Sequence, residues 1–121
     1  MLDKPANILE NKVDIFTNRI IKMVKYLKTK GADNSILNQV LRSGLSIGAN
    51  ISEAKYGQSR ADFVHKMSIA LKEANETLYW SNKLYAAEYL NDIEYKSISK
   101  DNNEIIYMLI SIVNTTKKNG I

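Results

Sequence analysis

Residues 42–59 read RSGLSIGANISEAKYGQS. The apolar positions recur at steps of three and four, as on one face of a helix. Yet Gly44 and Gly48, three serines and Asn50 sit in the middle of it. An interior glycine costs a helix about 1 kcal/mol relative to alanine, so propensity alone does not account for the stretch. Packing does. Gly44 and Gly48 are four apart and lie one above the other on a single face. With Ser43, Ile47 and Ile51 they outline a shallow groove that lets another backbone come close. That neighbour is either a helix of the same bundle or a second subunit, and the spacing leaves both open.

A second line runs along the same stretch. Arg42, Ser46, Asn50 and Glu53 are separated by four, four and three residues. Arg42 and Glu53 lie roughly 16 Å apart along one helix, so they meet only if a second copy of the helix packs beside the first. A buried asparagine or ion pair sets register and partner choice more than it adds stability. The alternative is an ordinary solvated face.

Working outward, the same periodicity recurs in three more segments, and none shows sustained strand alternation. The spacing predicts helices over about 7–30, 34–57, 60–90 and 92–117, forming one domain over 1–121. In the first, Val13, Phe16, Ile20, Val24 and Leu27 make one stripe, and the helix should stop at Gly31. Asp33 or Asn34 is a suitable cap for the second, and Gly57 is placed to close it in the left-handed conformation. Ser59 with Asp62, and Asn91 with Glu94, read as capping boxes. Phe63, Met67, Ala70, Ala74, Leu78, Ser81 and Tyr85 should hold the core face of the third helix. Ile98, Ile105, Leu109 and Ile112, widened by Ile106, Met108 and Val113, should hold that of the fourth. Residues 115–121 should fray. Long helices with short connections favour antiparallel neighbours, hence an all-α, up-down-up-down four-helix bundle.

Composition narrows the function classes. The 121 residues contain no cysteine, which removes disulfides, thiol nucleophiles and thiolate metal sites. His65 is the single histidine, and a bundle di-iron site needs two Glu-x-x-His motifs with further inward carboxylates. Glu73 and Glu76 are a carboxylate pair with no nucleophile or oxyanion donors beside them. GLSIG lacks the lysine of a phosphate-binding loop. The expectation is a protein that is not an enzyme and takes no cofactor or metal. No apolar run is long enough to span a bilayer. The first dozen residues do not read as a signal peptide, so a cytoplasmic location is expected.

Seventeen basic residues against thirteen acidic give +4. The excess is concentrated: Lys12, Arg19, Lys22, Lys25, Lys28 and Lys30 face only Asp14 within residues 12–30. Lys22, Lys25 and Lys28 lie away from the apolar stripe and are the candidate phosphate contacts; the alternative is a plain solvated face. Ile69, Trp80 and Ala87 fall about 100° from the core stripe of the third helix, and an off-core tryptophan suits a subunit contact. Tyr79, Trp80, Lys83 and Tyr85 form an alternative stacking platform for single strands, weakened by their pointing to different sides.

The segments LRSGLSIGANISEA and SRADFVHKMSIALKEANETLYW resemble the bacterial four-helix-bundle proteins related to those encoded in intervening sequences of ribosomal RNA. The accessory variability protein of diversity-generating retroelements is similar to that family. The likeness runs over about residues 8–116. It is most specific over 41–80: Arg42-Ser43, Ser46-Ile47, Asn50-Ile51 with Glu53, Asp62-Phe63 and Ile69-Ala70-Leu71. Gly44 stands where many relatives carry alanine, and Ala54-Lys55 where many carry glutamate-glycine variants. The resemblance implies a homopentamer, a positively charged surface for RNA or DNA and, in the retroelement branch, contact with a reverse transcriptase. Arg42, Gly44, Gly48, Asn50, Glu53, Ile69 and Trp80 are the candidate positions for the subunit interface or for close packing. A protein-interaction scaffold without nucleic-acid binding is the competing expectation, and a small-ligand-binding bundle a third.

Overall fold

The computed structural model describes the backbone of residues 4–119 and the side chains of residues 7–118. Four helices account for nearly all of it: α1 Lys4–Thr29, α2 Asn34–Ala54, α3 Arg60–Ala86 and α4 Asp92–Asn119. Each packs against its neighbours in the chain, α1 closes the ring against α4, and among the described residues the backbones of the diagonal pairs stay apart. Side-chain pairing gives the directions. Lys55 reaches Glu10, whereas Gly44 lies against Ile20, so α1 and α2 run oppositely. Arg42 pairs with Glu73 and Glu76 while Glu53 pairs with Lys66, reversing α3 against α2. Asn102 bonds the carbonyl of Ala74, and Tyr95 meets Asn82, reversing α4 against α3. The bundle is up-down-up-down.

Leu9, Val13, Phe16, Ile20, Val24 and Leu27 bury the whole inner stripe of α1. From α2 come Leu37, Val40, Ile47, Ile51 and Ala54 with the small residues Ser43 and Gly44; Leu41 and Gly48 are half-buried. The third helix differs from its periodicity. Thr77 and Leu84 are buried, whereas Phe63, Leu78 and Tyr85 are only partly so. A 27-residue helix drifts against any fixed three-four repeat, so the buried line moves around it. On α4 the core is Ile98, Asn102, Ile105, Ile106, Leu109 and Val113, with Met108 and Ile112 at its edge.

Of the buried polar residues, Ser43, Thr77 and Asn102 bond backbone carbonyls, while the Ser81 hydroxyl has no partner among the described residues. Thr77 Oγ1 lies 2.9 Å from Ser43 Oγ and 2.8 Å from the Glu73 carbonyl, and Ser43 Oγ lies 2.8 Å from the Gln39 carbonyl. Asn102 Nδ2 donates to the Ala74 carbonyl at 2.9 Å, while its Oδ1 has no partner.

The ends follow local chemistry. Pro5 falls in the first turn of α1, where a missing N–H breaks no helical bond, and the helix starts earlier than the apolar stripe. Gly31 (φ 79°) ends α1: its N–H meets the Lys28 carbonyl and the Ala32 N–H meets that of Leu27, the paired bonds of a glycine C-cap. Asp33 caps α2, accepting from the N–H groups of Ser35 and Ile36. Gly57 does not adopt a positive φ; α2 ends at Ala54 and tightens through bonds from Tyr56 to Glu53 and from Gly57 to Ala54. Asn91 and Glu94 cap each other's backbone N–H at 2.8 Å in both directions. Ser59 accepts from the Asp62 N–H, but the Asp62 carboxylate reaches back to the N–H of Gln58. The third helix stops at Ala86, short of residue 90, because Glu88 takes a left-handed φ of 67°. The N–H groups of Glu88 and Tyr89 then bond the carbonyls of Tyr85 and Leu84, the arrangement Gly31 makes at α1. Of the segment expected to fray, 115–119 is helical, and 120–121 lie outside the described residues.

Candidate nucleic-acid interface

The basic face of α1 is assembled by its helical rise. Lys22, Lys25 and Lys28 are three apart and spread over roughly 120° of the outer surface. All three are exposed. Among the described residues, no carboxylate lies within ion-pairing distance of them.

Lys72, Lys83, Lys96 and Lys100 of α3 and α4 are likewise exposed without an ion pair among the described residues, whereas the cations at the helix seams are paired. Lys12 sits 2.5 Å from Glu104, and Arg19 Nη1 sits 2.5 Å from Asp101 Oδ2, both across the α1–α4 seam. Lys55 and Lys66 pair with Glu10 and Glu53 at 3.0 and 2.6 Å. The Glu10 carboxylate, chiefly by its hydrogen bond and then by its charge, holds the Lys55 ammonium above its ordinary pKa. These pairs sit at the surface, where solvent screens them and each adds little to stability. Their larger effect is on the field outside the molecule, because a paired cation offers little to a polyanion. Among the described side chains of α1, the unpaired positive charge is thereby concentrated in the C-terminal half.

The positions 42–59 are placed as follows. A Cβ on Gly44 would come within 3.2 Å of Ile20 Cγ2, and one on Gly48 within 3.5 Å of Val13 Cγ1. The glycine groove therefore faces α1 of the same bundle. Arg42 does not wait for a second copy. Its guanidinium bonds the carboxylates of Glu73 (3.4 Å) and Glu76 on α3, and its Nε donates to Gln39 Oε1 at 3.0 Å. Glu53 is taken by Lys66 on α3. Asn50 Nδ2 donates to the Ser46 carbonyl at 2.8 Å, within its own helix. The helix-to-helix partner of the polar line is thus α3, which an exchange between two copies had not anticipated. The signal was present in Glu73 and Glu76, two carboxylates one turn apart on the helix that follows.

On α3, Ile69 is partly buried and Trp80 packs against the core edge with its Nε1 donating to Glu76 Oε2 at 3.1 Å. Tyr79 meets Trp80 edge-on at 5.0 Å, and the Lys83 ammonium lies over the Tyr79 ring. Tyr85 is not part of this group. It stacks on Tyr95 at 4.5 Å and donates its hydroxyl to Asp92 at 2.5 Å. His65 is exposed. Among the described residues there is no group of three histidine, aspartate or glutamate side chains able to hold a metal, and no helix long and apolar enough to cross a membrane.

One residue of the basic segment escaped the sequence reading. Tyr26 lies among the lysines in KMVKYLKTK. It is 51% exposed, with the Lys30 ammonium 5.4 Å from its ring centroid. An aromatic interleaved with lysines was the available signal.

Comparison with known proteins agrees with this architecture. No curated protein matches the sequence. A crystal structure of a protein of unknown function from the S23 ribosomal protein family of Bacteroides thetaiotaomicron superposes with a TM-score of 0.88. The two are 46% identical over 91% of this chain and 98% of that one. The model of the 23S rRNA-intervening sequence protein family matches residues 7–111. With the bundle, the helix order and the arginine-to-asparagine segment of α2 all in place, this chain belongs to the 23S rRNA-intervening sequence protein family.

Proposed function

We propose that this chain is a non-enzymatic homo-oligomer, a pentamer working in the cytoplasm, that binds RNA or DNA through the basic outer face of α1. One observation carries the reading: Lys22, Lys25 and Lys28 form a run of three exposed cations about one turn apart on a single helix, with no counter-ion among the described residues. The mechanism is phosphate neutralisation with counter-ion release, repeated around a ring of subunits. Affinity should therefore fall steeply with salt. Subunit contact is assigned to the flank of α3 bearing Ile69 and Trp80. The polar line of Arg42, Asn50 and Glu53 and the glycines Gly44 and Gly48 serve packing within the bundle.

The test is a triple variant, Lys22→Glu, Lys25→Glu and Lys28→Glu, titrated with labelled RNA and DNA at about 50 mM salt. Loss of binding to both polymers is expected, with the helical content unchanged. Binding equal to that of the parent chain would remove this face from the assignment.

A second reading is favoured by the exposure of Ile15 (63%) and Tyr107 (67%). In it the bundle is a scaffold that docks a protein, of which a reverse transcriptase is the candidate, without touching nucleic acid. It is preferred if neither polymer binds at low salt and a purified reverse transcriptase does.

A further inference from the structure

A groove of about 470 Å³ runs between the C-terminal half of α1 and the first turns of α4. That is within the range of roughly 300–1,000 Å³ typical of small-molecule sites. Its walls are largely apolar: Met23 and Tyr26 on one side, Leu90 and Ile93 on the other. Ile93 is 80% exposed, so its apolar surface is open to a ligand and would gain from being covered.

The charges at the rim sort themselves. Arg19 is committed, with Nη1 on Asp101 and Nη2 at 2.8 Å from Ser97 Oγ. The Glu94 carboxylate also lines the groove, and its Oε1 accepts from the Asn91 N–H. Lys22 remains without a counter-ion among the described residues. Lys25 and Lys28 continue from it along the helix, and Lys30 lies against Tyr26. The result is an apolar slot with an aromatic wall beside a line of unpaired cations.

A nucleotide unit has that same pair of surfaces, a flat base and an anionic phosphate. A duplex has the phosphates to offer but keeps its bases stacked inside. A single strand can offer both at once. We infer that this groove is a base-stacking slot, with Tyr26 as its aromatic wall, and that the chain prefers single-stranded to double-stranded nucleic acid. The inference rests on the nucleic-acid reading above, and adds to it the class of strand and the residue that selects it.

The experiment measures binding of a labelled single-stranded oligonucleotide, its duplex and inorganic polyphosphate, which has charge without bases. The parent chain is compared with Tyr26→Ala, Tyr26→Phe and the triple lysine variant. The parent should bind the single strand at least about tenfold more tightly than the duplex or polyphosphate. Tyr26→Ala should lose roughly 5- to 100-fold for the single strand and keep its duplex and polyphosphate affinities. Tyr26→Phe should behave as the parent, and circular dichroism should show every variant folded. Equal affinity for single strand and duplex, or an unchanged single-strand affinity in Tyr26→Ala, overturns the slot even if the triple variant loses all binding. If the parent binds none of the three polymers, the nucleic-acid reading itself fails.

Discussion

Gly44 and Gly48 look alike in the sequence and differ in the fold. At Gly44 an added methyl would press on Ile20 at 3.2 Å, a β-branched side chain with little room to turn. At Gly48 it would meet Val13 and Thr17 at 3.5 and 4.0 Å, ordinary contact distances. Gly48→Ala should therefore stabilise the bundle by about 0.5–1 kcal/mol through helix propensity, read as a higher urea midpoint at unchanged slope. Gly44→Ala should gain less or nothing. Glu88 is the reverse case, a residue with a Cβ where the backbone wants none. Glu88→Gly relieves the left-handed conformation at a partly offsetting cost in unfolded-state entropy, for a net gain of roughly 0.5–1 kcal/mol. A lower midpoint in thermal unfolding would show that φ 67° is not a burden at this site.

At the scale of helices, the connection between α3 and α4 combines the capping pair Asn91–Glu94 with the stacked rings of Tyr85 and Tyr95. The Tyr85 hydroxyl donates to Asp92, and that hydrogen bond, then the carboxylate's charge, raises its pKa above the ordinary phenol value. A raised pKa means the folded state holds the proton more tightly. The associated stability is complete below the unfolded phenol's pKa and is lost as pH rises through the folded value. In a spectrophotometric titration of the seven tyrosines, one component should ionise at higher pH than the rest and vanish in Tyr85→Phe. Helix existence and most boundaries were legible because they depend on local signals: caps such as Asp33 and Asn91, and Gly31 at a stop. The end of α3 was not, since a glutamate there performs the work the eye seeks in glycine. The buried line of α3 was read one residue off at two places, Leu78 for Thr77 and Tyr85 for Leu84, because threonine counts as polar in a periodicity until its hydroxyl is seen to bond a carbonyl one turn back.

For the molecule as a whole, the bundle and its direction followed from four periodic segments and short connections, and the family resemblance pointed to the same architecture. The candidate interface was legible as charge and illegible as chemistry. Counting cations locates the basic helix, but which of them are neutralised depends on where Asp101 and Glu104 arrive from α4. Assembly lies at this scale too. Light scattering at micromolar concentration should give five subunit masses. A single subunit mass would end the pentamer and with it the multiplied affinity of a ring, leaving only the few phosphate contacts of one helix.

The α1–α4 seam joins the two ends of the chain, and it is the loosest of the four helix pairings. Every other pairing is between helices adjacent in sequence, so little loop entropy is spent before native contacts form. The seam is the exception: closing it spans the most chain, so it is expected to form late and to open first. Its closure rests in part on two surface ion pairs, Lys12–Glu104 and Arg19–Asp101. Amide protons of α1 should exchange through a partial opening that leaves α2 and α3 protected, more readily at high salt. Replacing Arg19 with methionine should speed unfolding and leave the folding rate nearly untouched. On this expectation, the order in which the bundle comes apart follows which of its neighbours are distant along the chain.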